Sequence, residues 1–290
     1  MDKVCLGVEI SQNGLKIALV KPKRKKIIKV DVVPTPSNSM HDAPTYASVI
    51  STWTRNNLPS KVAAIAVAFP SSSGIMRCIS MPREVDNPES YAAWEFTSAI
   101  NTEISDYKLK AFFYPSRKRP ARAVVSALRK SIVDSFCSPE VERSGFRPDY
   151  LIADIYAMFN LLEISEGIGN SVKCILKADE KFAVAFWADE SGPISVRALP
   201  GDCISEESIL GILESGFMEF PKAKKVVKFC GELCTDTEFT ISLVDSAVRL
   251  KNPLGILIWD SVNKFSLEKN EEFSKLPQCL GAVGATLSCI

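Results

Sequence analysis

Residues 4–20 read VCLGVEISQNGLKIALV. Val4 to Ile10 is a short apolar run of the kind that forms a buried strand, and Leu15 to Val20 is a second. Between them Ser11-Gln12-Asn13-Gly14 is turn chemistry, so the stretch is expected to form a β-hairpin at the start of a domain. Consecutive backbone amides in such a turn make a concavity that suits an anion such as phosphate. An ordinary N-terminal hairpin explains the same residues.

Working outward, the 290-residue chain is long for a single core, so one large or two lobed domains are expected. Its apolar and charged fractions are those of a globular protein, and its formal net charge of +1 gives no overall pull toward nucleic acid or anionic membrane. No apolar run approaches the roughly 20 residues that span a bilayer. Met-Asp-Lys leads straight into a strand, so no signal peptide is expected. The nine cysteines lack CxxC spacing, and Cys230 and Cys234 have no accompanying histidine cluster. No metal site is expected, and reduced thiols in a cytoplasm account for them.

After the hairpin, the basic run Lys21 to Lys26 reads as a solvated turn before a third strand, Ile27 to Val33. Pro34 to Pro44 is a loop holding the only histidine, His41. Thr45 to Asn57 has Tyr46, Val49, Ile50 and Trp53 at helical spacing. Strands follow at Val62–Phe69 and Ile75–Met81, joined by Ser71-Ser72-Ser73-Gly74. Pro88 to Ile104 reads as one helix with Tyr91, Trp94, Ile100 and Ile104 on one side. Tyr107–Tyr114 and Ala121–Leu128 are strands, Ser131–Val141 a helix, and Tyr150–Ala153 a strand leading into a helix. The break at Glu166 to Asn170 reads as a boundary between lobes. Beyond it come strands at Val172–Lys177, Phe182–Trp187 and Ile194–Leu199, a helix at Ser205–Phe217, and a strand at Val226–Cys230. A short helix near Thr235–Leu243, an apolar segment Leu254–Trp259 and a small-residue helix Leu280–Ile290 complete the chain. The three-strand meander, helix and strand of the first half thus recur in the second, which gives mixed sheets with flanking helices.

Catalytic constellations are sparse. A lone histidine in a Pro/Ser loop does not make a Ser-His-Asp or Cys-His site. No P-loop, dinucleotide fingerprint or G-x-S-x-G frame is present. Arg117-Lys118-Arg119 and Arg122 beside Phe112, Phe113 and Tyr114 read as a charged hairpin tip rather than a nucleic-acid surface.

An ordered set of landmarks resembles the PilM family, actin-like proteins of type IV pilus assembly related to FtsA and to the cytoplasmic part of the type II secretion L protein. Gly7 to Lys16 (GVEISQNGLK) stands where that family has a GLDIGSSSVK-like stretch. Val67-Ala68-Phe69-Pro70 with Ile75 to Pro82 resembles its "vPgs…irriemP" pair. Tyr91 to Ile104 with Tyr107 to Tyr114, and Val124 to Lys130 with Val141 to Phe146, resemble its subdomain element and "vlvAArk…veaaGl.p" run. Asp149 to Ala157 resembles "p.vvDve.yAl", Leu250 to Pro253 "lnPf", and Gly281 to Leu287 the closing small-residue helix. The resemblance covers nearly the whole chain. It implies an α/β, actin-like (ribonuclease H-like) two-lobed fold with duplicated mixed sheets and flanking helices. Lobe 1 would be residues 1–166, with a small inserted subdomain at about 82–130. Lobe 2 would be residues 167–290, shortened, since only one helix fits between Gly201-Asp202 and Phe229.

Departures from the family pattern fall on its nucleotide loops. Glu9 and Ser11 replace an Asp and a Gly. The second phosphate loop is Lys177-Ala178-Asp179-Glu180, with no glycine to let a phosphate approach. The adenosine loop is Cys230-Gly231-Glu232-Leu233. The resemblance with these departures implies a degenerate ATPase with no catalytic residue and no cofactor. It implies a cytoplasmic scaffold at the inner face of the inner membrane, held there through its partner. That partner would be the cytoplasmic peptide of a PilN-like membrane protein, taken up near Tyr91, Trp94, Phe112 and Phe113, with an assembly ATPase as a further candidate. The alternative is an active ATPase or kinase of the actin/sugar-kinase superfamily with Mg-ATP in the interlobe cleft. Nucleotide would then meet Glu9, Ser11, Gln12, Asn13, Lys16, Asp179 and Gly231.

Overall fold

A computed structural model describes residues 3–11, 13–35, 42–58, 62–82, 84–100, 104–114, 122–166, 172–189, 192–221, 223–268 and 270–289. Gln12, His41 and Arg117 to Arg119 lie outside them. The opening hairpin forms as expected: β1 (Cys5–Ser11) pairs antiparallel with β2 (Gly14–Lys21), with Ser11 opposite Gly14. The basic run is a 3-10 turn at Pro22–Arg24 leading into β3 (Lys26–Val33). Asp42 caps α1 (Ala43–Asn57) by accepting from the Thr45 N–H, and β4 (Ala64–Phe69) then runs parallel to β1. Next come β5 (Gly74–Ser80), α2 (Pro88–Ser98), β6 (Tyr107–Tyr114) and β7 (Arg122–Arg129). α3 (Lys130–Phe136), α4 (Pro139–Arg143), β8 (Tyr150–Ala153) and α5 (Asp154–Glu166) follow. The second half holds β9 (Lys173–Asp179), β10 (Phe182–Asp189), β11 (Gly192–Pro200), α6 (Glu206–Met218), β12 (Val226–Cys230), α7 (Thr237–Arg249) and β13 (Gly255–Ile258). β14 (Ser266–Leu267), α8 (Leu280–Ala285) and a 3-10 turn at Thr286–Cys289 close the chain.

The two large sheets carry the duplication. One has the order β14-β3-β2-β1-β4-β8 and the other β11-β10-β9-β12-β13. Without β14 they are the same design. A three-strand antiparallel meander places its first strand centrally, and two further strands add in parallel on that strand's free side. A third sheet, β5-β7-β6, carries α2.

By their contacts the residues gather into two units. Unit 1 is Met1–Ser73, Leu128–Glu166 and Asp260–Ile290; unit 2 is Gly74–Ala127 and Gly167–Trp259. The closing segment, read from the sequence as part of lobe 2, therefore gathers with the first hairpin. The small subdomain, read as part of lobe 1, gathers with the second large sheet.

Unit 1 is organised by the two faces of β1. Leu6, Val8 and Ile10 point into an apolar core shared with Leu15, Ile17 and Leu19 of β2 and with Tyr46, Ile50 and Trp53 of α1. The alternate positions, Cys5, Gly7 and Glu9, face the opposite way. That face is covered by α8, with Gly7 directly beneath Ala282 and Thr286, and Glu9 beneath Gly281. The surrounding residues are small: Ala66 and Ala68 of β4, Ala157 of α5 and Ala285 of α8 pack together. Because these side chains are small, helix and sheet backbones approach closely. A Cβ at Gly7 would collide with the Ala282 carbonyl, and one at Gly284 with the Ala157 carbonyl. The segment before α8 is fixed by Asp31 of β3, which accepts from Trp53 Nε1 (2.9 Å) and from Lys275 Nζ (2.6 Å). Burial opposes ionisation of Asp31, but these donors outweigh it and hold its carboxyl below the ordinary value.

Several sequence expectations are corrected. The helix starting at Pro88 stops at Ser98, not Ile104. Ile100 and Ile104 instead join the core beneath α2 together with Tyr107 and Leu109, a placement set by the sheet. The helix expected over Ser131–Val141 is two helices, because Pro139 disfavours helical geometry at Ser138, which becomes an N-cap accepting from Val141 N. α7 runs to Arg249, beyond the expected end at Leu243. β14 was not expected: two residues pair with Lys26 and Ile27, too short a run to carry a periodic signal.

Replacing Gly7 or Gly284 with alanine is expected to force α8 off the sheet and cost about 3 kcal/mol, the upper range for overpacking. Thermal unfolding followed by circular dichroism checks this. Gly211 faces open space, and Gly211→Ala is expected to leave the transition unshifted or slightly raised.

Candidate functional site

In sheets of this kind ligands are met at the carboxyl ends of the parallel strands. In unit 1 those are the ends of β1, β4 and β8. At β1 the structure brings Glu9 and Lys16 directly opposite each other across the hairpin. Both side chains are 0% exposed, and Lys16 Nζ lies 3.4 Å from Glu9 Oε1. Gly281 lies over the Glu9 carboxylate so closely that a Cβ there would strike Oε2. Ser11 Oγ donates to the Gly14 carbonyl at 3.0 Å and closes its own turn. Asn13 stands exposed at the tip. Gln12 lies outside the described residues.

At the ends of β4 and β8 the structure adds a group that the sequence did not single out as a site. Asp154, 1% exposed at the first position of α5, accepts from Ser71 Oγ and from the Ile155 N–H at 2.6 Å. The sequence marks Ser71 only as a turn residue. The available signal was a carboxylate immediately after a buried strand and within a stretch matched to the "vvDve" landmark. A cleft of about 530 Å³ lies at the amino ends of the same strands, lined in part by Ser51, Arg55, Phe146 and Asp149.

In unit 2 the matching position of β9 holds Lys177. Its side chain is nearly buried and reaches Asp179 Oδ2 at 3.1 Å. Asp179 Oδ1 accepts the Glu232 N–H at 2.9 Å, so the hairpin tip is tied to the loop after β12. Gly231 starts that loop at φ +101°, where a Cβ would meet the Ala178 carbonyl. Here glycine permits both the turn and the close approach. The Cys234 thiol donates to the Gly231 carbonyl at 2.9 Å and braces the same loop. Lys177, Asp179 and Gly231 thus form one cluster. Among the described residues no three His, Cys, Asp or Glu side chains group as metal ligands.

Of the four aromatic residues named for partner binding, three have described side chains, each in a different setting. Trp94 is 60% exposed on the outer side of α2, with the Tyr91 ring 5.9 Å away. Tyr91 also packs at the edge of the core under α2. Phe112 is half-buried on β6, an edge strand of its sheet, on the face opposite Leu109 and Ala111. The side chain of Phe113 lies outside what the structure describes. Among the described residues no helix is long and apolar enough to cross a membrane.

Two repeats of one meander-plus-parallel sheet, with helices on their faces, define the actin-like ATPase fold, and the chain has it. It is similar over 99% of its length, and 98% of the other chain, to a structure described as "PilM-PilN type IV pilus biogenesis complex", at 16% identity and TM-score 0.71. It is also similar to a Bacteroides thetaiotaomicron protein described as having an actin-like ATPase fold and unknown function. There identity is 11%, coverage 90% and 93%, and TM-score 0.57. The cytoplasmic domain of EpsL, an inner membrane component of the Vibrio cholerae type II secretion system, matches at 9% identity, 95% and 94% coverage and TM-score 0.52. At such identities the likeness is one of fold. No protein-family model matches the sequence, and no curated protein matches it.

Removing one member of a buried ion pair leaves an uncompensated charge, which costs about 3–5 kcal/mol. Glu9→Gln and Lys16→Met are each expected to destabilise by that order. The double variant is expected to recover most of the loss. Denaturant unfolding of the four proteins, read as a double-mutant cycle, measures the coupling.

Proposed function

We propose that the chain is a non-catalytic scaffold of an inner-membrane assembly platform of the type IV pilus or type II secretion class. In this reading it works at the cytoplasmic face and holds the cytoplasmic peptide of a PilN-like membrane partner. The observation that carries the reading is the Glu9–Lys16 pair. An acidic and a basic side chain at the first hairpin, where this fold would meet a nucleotide, are fully buried and matched to each other under Gly281. A second observation agrees with it. Lys177 and Asp179 at the second hairpin are paired within their own cluster, and Asp179 also holds the Glu232 amide. Opening either arrangement for a phosphate would mean giving up the internal contacts, a cost added to that of binding. The shared fold with a PilM–PilN complex and with the EpsL cytoplasmic domain supports the choice of machinery.

Trp94 is the residue best placed to anchor a peptide. It is large, exposed and free of the core, and such aromatic residues carry much of the energy of interfaces.

Two measurements test the proposal. Millimolar Mg-ATP is expected to leave the melting temperature within about one degree. A ligand at 100 times its Kd would add about 2.7 kcal/mol, so a rise of several degrees would establish the ATPase or kinase alternative instead. The cytoplasmic peptides of candidate inner-membrane partners, titrated against the protein by fluorescence, are expected to bind. Trp94→Ala is expected to weaken that binding at least tenfold while leaving thermal unfolding unchanged.

A further inference from the structure

The alternate face of β1 is met step by step by the end of the chain. Glu9 lies under Gly281, and Gly7 under Ala282 and Thr286. Two residues before Gly7 on the same face stands Cys5, 2% exposed. Three residues past Thr286, on the 3-10 turn Thr286–Cys289, stands Cys289. Residues three apart on a 3-10 turn lie on one side, so the register that sets Thr286 on Gly7 delivers Cys289 to Cys5. The last turn packs on β1 and β4, and each of the two thiols is the strongest influence on the other's titration. Cys289 packs against the small-residue cluster of Ala66, Ala68 and Ala285 and is partly open to solvent.

We propose that Cys5 and Cys289 are a reversible redox pair whose disulfide fastens the last turn of the chain to its first strand. The oxidant is hydrogen peroxide. The Cys5 thiolate attacks one peroxide oxygen, the O–O bond breaks, and Cys5 becomes a sulfenic acid as hydroxide leaves. Cys289 sulfur then attacks the sulfenic sulfur, its proton joins the departing hydroxide, and water is released as the S–S bond forms. The peroxide takes up the two electrons that the thiols lose. A dithiol reductant returns both cysteines to thiols by exchange.

The surroundings suit this assignment. The hydrogen bond with Cys289 draws the Cys5 thiol below its ordinary value against the effect of burial, with Lys3 assisting, and the same bond raises Cys289, so Cys5 is the thiol of the pair that ionises first. Burial holds Cys279 and Cys78 up at about 12 and raises Cys174, which keeps those thiols protonated and slow to react. The bond would close nearly the whole chain into a loop and pin α8 over Glu9 and Lys16. Such a cross-link stabilises chiefly by restricting the unfolded chain. The inference stands whether or not the chain acts in a pilus or secretion platform.

The test uses the full-length protein, reduced and then treated with a small molar excess of hydrogen peroxide. Remaining thiols are blocked and the chain is mapped by non-reducing peptide mass spectrometry. The expected product links the peptide holding Cys5 to that holding Cys289, ahead of any bond through the exposed Cys137 or Cys203. Dithiothreitol removes the link, and the oxidised protein melts several degrees higher than the reduced. Cys289→Ser abolishes both the link and the gain. Cys279→Ser, which changes the other cysteine of the C-terminal tryptic peptide, leaves the link intact. If Cys289→Ser fails to fold, the wild-type map decides alone. Absence of the 5–289 link under conditions that oxidise other thiols overturns the proposal. So does an equal yield of bonds through Cys137 and Cys203, or an equal thermal gain in Cys289→Ser.

Discussion

A carboxylate and an ammonium removed from water lie 3.4 Å apart at the centre of unit 1, and much of that unit is arranged so that they stay there. Desolvating two charges costs several kcal/mol each, and their attraction offsets this only when water is excluded and the geometry is fixed. Exclusion comes from α8, which lies close enough over the hairpin that only glycine fits above Glu9. The close approach in turn needs Gly7, Gly284 and the alanines of β4, α5 and α8. Asp31 holds Lys275, just before that helix, and so helps to bring the end of the chain back to its beginning.

The second unit solves a related problem with different groups. Its central hairpin places a lysine where the first places a glutamate, and Lys177 takes Asp179 from its own strand as partner. Asp179 also holds the Glu232 amide, so one carboxylate satisfies a buried ammonium and secures the glycine turn after β12. Both hairpins therefore keep the backbone layout of an actin-like fold while Glu9, Lys16, Lys177 and Asp179 have internal partners. Two cysteines of the second unit add to these contacts: Cys230 donates to the Leu176 carbonyl and Cys234 to that of Gly231.

Most strands were legible because their signals are local. The runs at Val4–Ile10 and Leu15–Val20 are apolar and separated by turn residues, and the meander at Val172–Leu199 repeats that pattern. α1 was legible because Tyr46, Ile50 and Trp53 recur at helical spacing and all face one core. The failures have physical causes. Ile100 and Ile104 extend the helical spacing of α2 by coincidence, while the sheet beneath claims them for another path. Ser138-Pro139 breaks a helix that apolar spacing alone would have continued. β14 exists only because β3 offers an edge to pair with. Within the candidate site, Glu9 was legible as a substituted position, whereas its full burial and the role of Gly281 were not. Asp154 stands in a legible strand-to-helix stretch, but its hydrogen bond to Ser71 depends on the alignment of β4 with β8.

The sequence by itself determined the duplicated succession of strands, the hairpins and the small-residue character of the last helix. These follow from side-chain period, turn chemistry and composition, which act over a few neighbouring residues. Only the tertiary structure decided that Glu9 and Lys16 neutralise each other and that Asp179 reaches the loop after β12. It also decided that residues Asp260–Ile290 belong with the first strand and that Cys289 comes to rest beside Cys5. Each of these joins groups that are paired across strands or lie far apart in the chain. Their meeting is set by the packing distance between backbones, which no local pattern encodes.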